Sequence, residues 1–102
     1  MFGNLFGDLE KKQEEIQQRL SAMLVEASVQ DGAVRVTATA AGELRDLLID
    51  PQKVDVHDVE ALQDLILEAV NRALTQARTI QSETSRELIK EMLPPGFDKL
   101  FG

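Results

Sequence analysis

Between Leu24 and Pro51 apolar and polar residues alternate, and two short turn signals interrupt the run. This pattern predicts a three-stranded antiparallel meander, and it restricts the fold more than any other stretch of the chain. A type I′ turn at Asp31-Gly32 sets Val29 opposite Val34, Ala27 opposite Val36 and Val25 opposite Ala38. It also sets Ser28 against Arg35 and Glu26 against Thr37, so one face is apolar and the other polar. If Ala41-Gly42 closes the second hairpin in the same way, Val36 meets Leu47 and Val34 meets Ile49. Leu44 and Leu48 then fall on the polar face, beside Thr39 and Arg35, and that face is expected to be covered as well.

Helical patterns flank the meander. Met1 to Gly7 holds two glycines and two phenylalanines without periodicity and reads as a flexible tail. From Asp8, an N-cap, to about Leu24, the residues Leu9, Ile16, Leu20 and Met23 recur at helical spacing among Lys11, Lys12, Gln13, Glu14, Glu15 and Arg19. Such a surface helix is expected to cover the apolar face of the sheet. Asp50-Pro51 ends the third strand, because proline cannot donate to a ladder. Asp55 or Asp58 then caps a second helix whose apolar face runs through Val59, Leu62, Ile66, Ala69, Ala73, Ala77 and Ile80. With no glycine or proline before Pro94, this helix extends for roughly 35 residues and about 50 Å. A strand of seven residues spans only about 23 Å. The second half of the helix must therefore break near Ser82, Thr84 and Ser85, pack on another subunit, or project.

Composition narrows the chemistry. A chain of 102 residues makes one domain with a small core, which oligomerisation would help. It has no cysteine and one histidine, His57, so thiolate chemistry and a His–His or Cys–His pair are excluded. No long apolar run and no signal-peptide pattern appear, so a cytoplasmic protein is expected, with no membrane partner. The acidic pairs Asp46 with Asp50 and Asp55 with Asp58 read as caps and solubility charges rather than a metal site or an acid–base pair. No Gly-rich phosphate loop is present. The expectation is a non-enzyme with no cofactor, metal or small-molecule substrate.

The formal net charge of −7 opposes nucleic-acid binding if taken alone, but it is unevenly placed. Between Glu43 and Glu68 there are eight acidic and two basic residues, whereas between Ala69 and Lys90 there are four basic and two acidic. On a helical wheel Arg72, Arg86 and Lys90 share a flank, with Arg78 on the far side. Basic residues late in a helix suit its macrodipole as well as a phosphate. All four phenylalanines lie in the tails, in Phe2 to Gly7 and Phe97 to Gly102, which share four of six positions. Local docking on the domain accounts for them more simply than adhesive motifs for a protein partner.

The Met-Phe-Gly start, the Gln- and Lys-rich first helix, the meander ending in Ile49-Asp50-Pro51, the long helix and the closing Leu93-Pro94-Pro95-Gly96-Phe97 together resemble the YbaB/EbfC family of bacterial nucleoid-associated proteins. The resemblance spans nearly the whole chain. It implies an α+β fold of order α-β-β-β-α, a tight homodimer with projecting helices, and binding of duplex DNA with little sequence preference in the nucleoid. The expected divisions are a tail over 1–7, one domain over 8–92 and a flexible tail over 93–102. No family motif fixes individual contacts, so placement selects Lys11, Lys12, Arg19, Arg72, Arg86 and Lys90 for DNA and Leu44 and Leu48 for the dimer interface. The alternative is an adaptor for replication or recombination proteins with negligible DNA affinity.

Overall fold

The computed structural model describes residues 2–92 and 96, the side chains of residues 2–5 excepted. In chain order it contains helix α1 (Phe2–Ala22), strands β1 (Leu24–Val29), β2 (Val34–Thr39) and β3 (Leu44–Ile49), and helix α2 (Val59–Met92). The strands form one antiparallel sheet in the order β1-β2-β3. This is the expected α-β-β-β-α arrangement. The expected C-terminal tail, with Leu93, the Pro94-Pro95 pair and Phe97, lies outside the described residues, Gly96 alone excepted.

The first hairpin has the register that its turn demands. Val29 pairs with Val34, Ala27 with Val36 and Val25 with Ala38. Asp31 and Gly32 have φ of 56° and 85°, the positive pair that a type I′ turn requires, and the Ala33 amide donates to the Gln30 carbonyl at 3.1 Å. Arg35 folds over this turn, and a Cβ on Gly32 would meet its Nε at 3.1 Å.

The second hairpin differs from expectation in two ways that cancel. It closes through three residues, Ala40, Ala41 and Gly42: the Gly42 amide donates to the Thr39 carbonyl at 3.0 Å, Gly42 has φ of 97°, and the Thr39 amide donates to the Glu43 carbonyl at 2.7 Å. Such a loop shifts the pairing by one residue relative to a two-residue turn. A bulge at Arg45 shifts it back, because Ala38 pairs with Leu44 but Thr37 with Asp46. Val36 opposite Leu47 and Val34 opposite Ile49 therefore hold. Leu44 is the casualty: paired with Ala38, it lies on the apolar side of the sheet and not on the polar one. Leu48, opposite Arg35, remains on the polar side.

The apolar side is covered by α2, not by α1 as expected. Ala69, Ala73 and Ala77 are buried against Val25, Ala27, Val29, Val34, Val36 and Ala38, with Leu62, Leu65, Ile66, Val70 and Ile80 packed around them. Alanine at every fourth position lets the helix axis approach the strands closely. Asp58 is the cap: its Oδ1 accepts from the Ala61 amide at 3.1 Å, while Asp55 accepts from the His57 amide at 2.9 Å.

Helix α2 is unbroken over 34 residues, about 51 Å. Its second half does not break, and α1 of the same chain runs beside it. A groove between them is lined by Ile16 and Arg19 of α1 and by Thr84 and Leu88 of α2. The short connection explains this. Met23 alone separates α1 from β1, and its carbonyl accepts from the Ala40 amide at 2.9 Å, so α1 leaves the sheet at the second turn. There α2 passes as well, since Gln81 Nε2 donates to the Ala40 carbonyl at 2.8 Å. Beyond Gln81 the two helices form an arm, and the molecule measures 63 × 28 × 18 Å.

The start of α1 also differs. Helix begins at Phe2, so Asp8 lies inside it rather than capping it, and residues 2–7 are not a separate tail. Gly3 and Gly7 each cost about 1 kcal/mol in a helix, which weakens one without forbidding it, and Phe2, Phe6 and Leu9 continue the three-to-four spacing.

Candidate nucleic-acid interface

The face of α2 opposite Ala69, Ala73 and Ala77 points away from the sheet and changes character along its length. Glu60, Asp64 and Glu68 make its first half acidic. From Asn71 onward it carries Arg72, Thr75, Arg78, Thr79, Ser82, Arg86 and Lys90, all exposed. Thr75, Arg78, Thr79, Ser82, Glu83 and Arg86 line one shallow surface depression. A helix places residues four and eight apart on one side, so Arg78, Ser82 and Arg86 form a row about 12 Å long. Lys90 continues it by one turn, in the last turn of the helix, where the macrodipole also favours a cation.

Among the described residues the ion pairs are Lys12 with Glu15 and Arg72 with Glu68. Arg78, Arg86 and Lys90 therefore present guanidinium and ammonium groups not committed to a carboxylate. Arginine offers a planar fork of donors to phosphate, and neighbouring threonine and serine hydroxyls add short-range donors to the same oxygens. The arrangement suits repeated phosphate contact. It offers no buried acid, base or nucleophile, and no cluster of three or more potential metal ligands occurs among the described residues.

The structure sorts the residues chosen from sequence. Arg86 and Lys90 belong to the outer row, and Arg78, assigned from the wheel to the far side, joins Arg86 there. The eight-residue spacing of Arg78 and Arg86 across Ser82 was the signal for it. Arg72 stands apart, about 21 Å from Arg86 along the axis. Its guanidinium donates to Glu68 Oε1 at 2.7 Å and to the Ser28 carbonyl of β1 at 3.3 Å, so it ties α2 to the edge of the sheet. Lys12 and Arg19 flank the α1–α2 groove together with Glu15, Glu87 and Glu91, a setting that disfavours a phosphate. Lys11 is exposed on α1. Leu44 and Leu48 are both exposed, on opposite sides of β3.

Fold and face together define a class: a small two-layer α+β domain with a helical arm and a row of exposed cations along its long helix. The chain belongs to the YbaB/EbfC DNA-binding family, whose pattern it matches over residues 2–92. It is 42% identical over 89 residues to a nucleoid-associated protein of Gluconobacter oxydans, covering 86% of this chain and 83% of that one. It is 44% identical over 82 residues to a nucleoid-associated protein of Moorella thermoacetica, covering 80% and 79%. A nucleoid-associated protein of Thermodesulfovibrio yellowstonii is 40% identical over 108 aligned positions, covering 100% and 95%. The crystal structure of an uncharacterized Helicobacter pylori protein superposes with a TM-score of 0.77 at 22% identity, covering 86% of this chain and 92% of that one, which is a likeness of fold. Among the described residues no helix is long and apolar enough to cross a membrane.

Proposed function

We propose that this protein is a nucleoid-associated architectural protein that binds duplex DNA as a homodimer, with little sequence preference and without catalysing a reaction. The observation that carries this reading is the outer row Arg78, Ser82, Arg86 and Lys90 on a projecting helix in a chain of net charge −7. Family membership supports it. The acidic first half of α2 lies beyond the roughly 8 Å over which charge is felt at physiological salt, so the outer row is opposed mainly by Glu83, which lines the same depression, and by Glu87 and Glu91 in the last turns. Phosphate contacts position a protein without reading sequence, and little sequence preference follows.

Two arms, each with Arg78, Arg86 and Lys90, engage about six phosphates, so log K falls with log salt at a slope of roughly −5. Retention of unrelated duplexes across a salt series measures this slope. Arg86→Glu with Lys90→Glu is expected to weaken binding to all sequences alike and to flatten the slope. If no duplex is retained at low salt, or the double reversal changes nothing, the DNA reading fails. An adaptor for replication or recombination proteins then takes its place.

A further inference from the structure

Helix α2 rests on the sheet through a smooth ridge. Its contact with β1 and β2 runs through Ala69, Ala73 and Ala77, and a side chain as short as alanine does not interlock with the strands beneath it. Of the larger side chains packed around that ridge, Leu62, Leu65, Ile66 and Val70 precede Ala73 and Ile80 alone follows it. Apolar packing therefore grips the start of the helix more firmly than the end that carries Arg78, Arg86 and Lys90. Two polar ties act where the apolar grip is weak. Arg72 donates to the Ser28 carbonyl at 3.3 Å and to Glu68 Oε1 at 2.7 Å. Gln81 Nε2 donates to the Ala40 carbonyl at 2.8 Å, and Ala40 is fully buried. At about 100° per residue, the step from Arg72 to Gln81 turns the helix by about 900°, so the two project from opposite flanks, about 14 Å apart along the axis. One flank is tied to the edge of the sheet at β1 and the other to the second turn.

We propose that Arg72 and Gln81 are positioning residues for DNA binding: ties on opposite flanks that fix the roll of α2 about its axis, and with it the direction in which the outer row faces. The inference rests on the DNA reading above and deepens it. A helix tied on one flank only is free to roll toward the other, so both ties are needed. The row is sensitive to such a roll, because turning a helix by about 20° carries an atom ~6 Å from its axis through about 2 Å, more than the spread of hydrogen-bond distances to a phosphate. An exposed arginine in this setting reads first as a phosphate contact. Here both terminal nitrogens of Arg72 are committed to oxygens of the protein, and one of those oxygens belongs to the sheet. Gln81 acts at the base of the arm, on a residue that serves both helices: the Ala40 carbonyl accepts from Gln81, and the Ala40 amide donates to the Met23 carbonyl at 2.9 Å, where α1 ends. Loss of the Gln81 amide leaves that buried carbonyl without its partner and frees the arm at the point where it leaves the sheet.

The test compares the full chain with Arg72→Met and Gln81→Met, since methionine keeps length and helix propensity and removes the donor. Because the chain has no cysteine, Glu26→Cys on the sheet and Ser85→Cys on the arm take a pair of spin labels, read in labelled chains diluted with unlabelled ones. The distance between them is expected to be narrowly distributed in the wild type and broadened by either methionine, and Gln81→Lys, which restores a donor, should narrow it again. Retention of unrelated duplexes gives the second readout. If each of two arms then faces the duplex roughly a third of the time, affinity falls about tenfold at every salt concentration. The slope of log K against log salt stays that of the wild type even for Arg72→Met, although a charge is gone; an Arg72 seated on a phosphate would instead make the slope shallower by about 1 per chain. A wild type that retains no duplex at low salt overturns the DNA reading and this role together. A wild type that binds, with distance distributions or affinities unchanged in the variants, or with a shallower slope in Arg72→Met, overturns the positioning role alone.

Discussion

Ala73 shows how much a single methyl decides here. It is fully buried between Ala69 and Ala77, where α2 lies against Val34 and Val36, and a longer side chain would have to push helix from sheet. Ala73→Leu is therefore expected to lower unfolding stability by about 1–3 kcal/mol in urea titrations, although leucine is hydrophobic and a good helix former. Arg72 makes a complementary point. Its charge suggests a ligand contact, but its bonds to Ser28 and Glu68 make it a brace for the sheet edge. Gly42 occupies a left-handed backbone position, φ 97°, that the three-residue loop requires.

At the scale of elements, the arm depends on α1 and α2 holding each other beyond Gln81. Leu20, 4% exposed, is the buried anchor of α1, and Ile16 sits in the groove with Thr84 and Leu88. Leu20→Ala is expected to cost about 2–4 kcal/mol. The loss should be local first: amide hydrogen exchange speeds up along α1 before it does in β1 and β2, whose cover comes from α2. If both elements lose protection together, α1 is part of the sheet's own cooperative unit.

For the whole molecule, the proposed homodimer should add to stability, because the domain keeps several leucines exposed. The melting temperature is expected to rise with protein concentration, as linkage to association requires, and differential scanning calorimetry over a hundredfold range checks it. A concentration-independent transition would mark the monomer as self-sufficient. The charge pattern acts at the same scale: in a molecule of net charge −7, the proposed approach of DNA falls to the outer row of Arg78, Arg86 and Lys90.

The meander, its first register and the existence of both helices were legible in the sequence, because a period of two, a period of 3.6 and an Asp-Gly turn are local properties of neighbouring residues. The resemblance carried by Ile49-Asp50-Pro51 and the Leu93 to Phe97 stretch pointed to the right family for the same reason, each being a short local signature. Which helix covers the sheet was not local: Leu9, Ile16 and Leu20 make as good a stripe as many that cover sheets, and only the one-residue link at Met23 turns α1 away. The side of the sheet that takes Leu44 depended on two irregularities, the Gly42 loop and the Arg45 bulge, that leave the rest of the register intact. Arg72 and Arg78 exchanged roles because a helical wheel gives angles between side chains but not the position of the sheet edge beside the helix. Local periodicity thus determined the elements, and packing in three dimensions decided which of their faces remained free to bind.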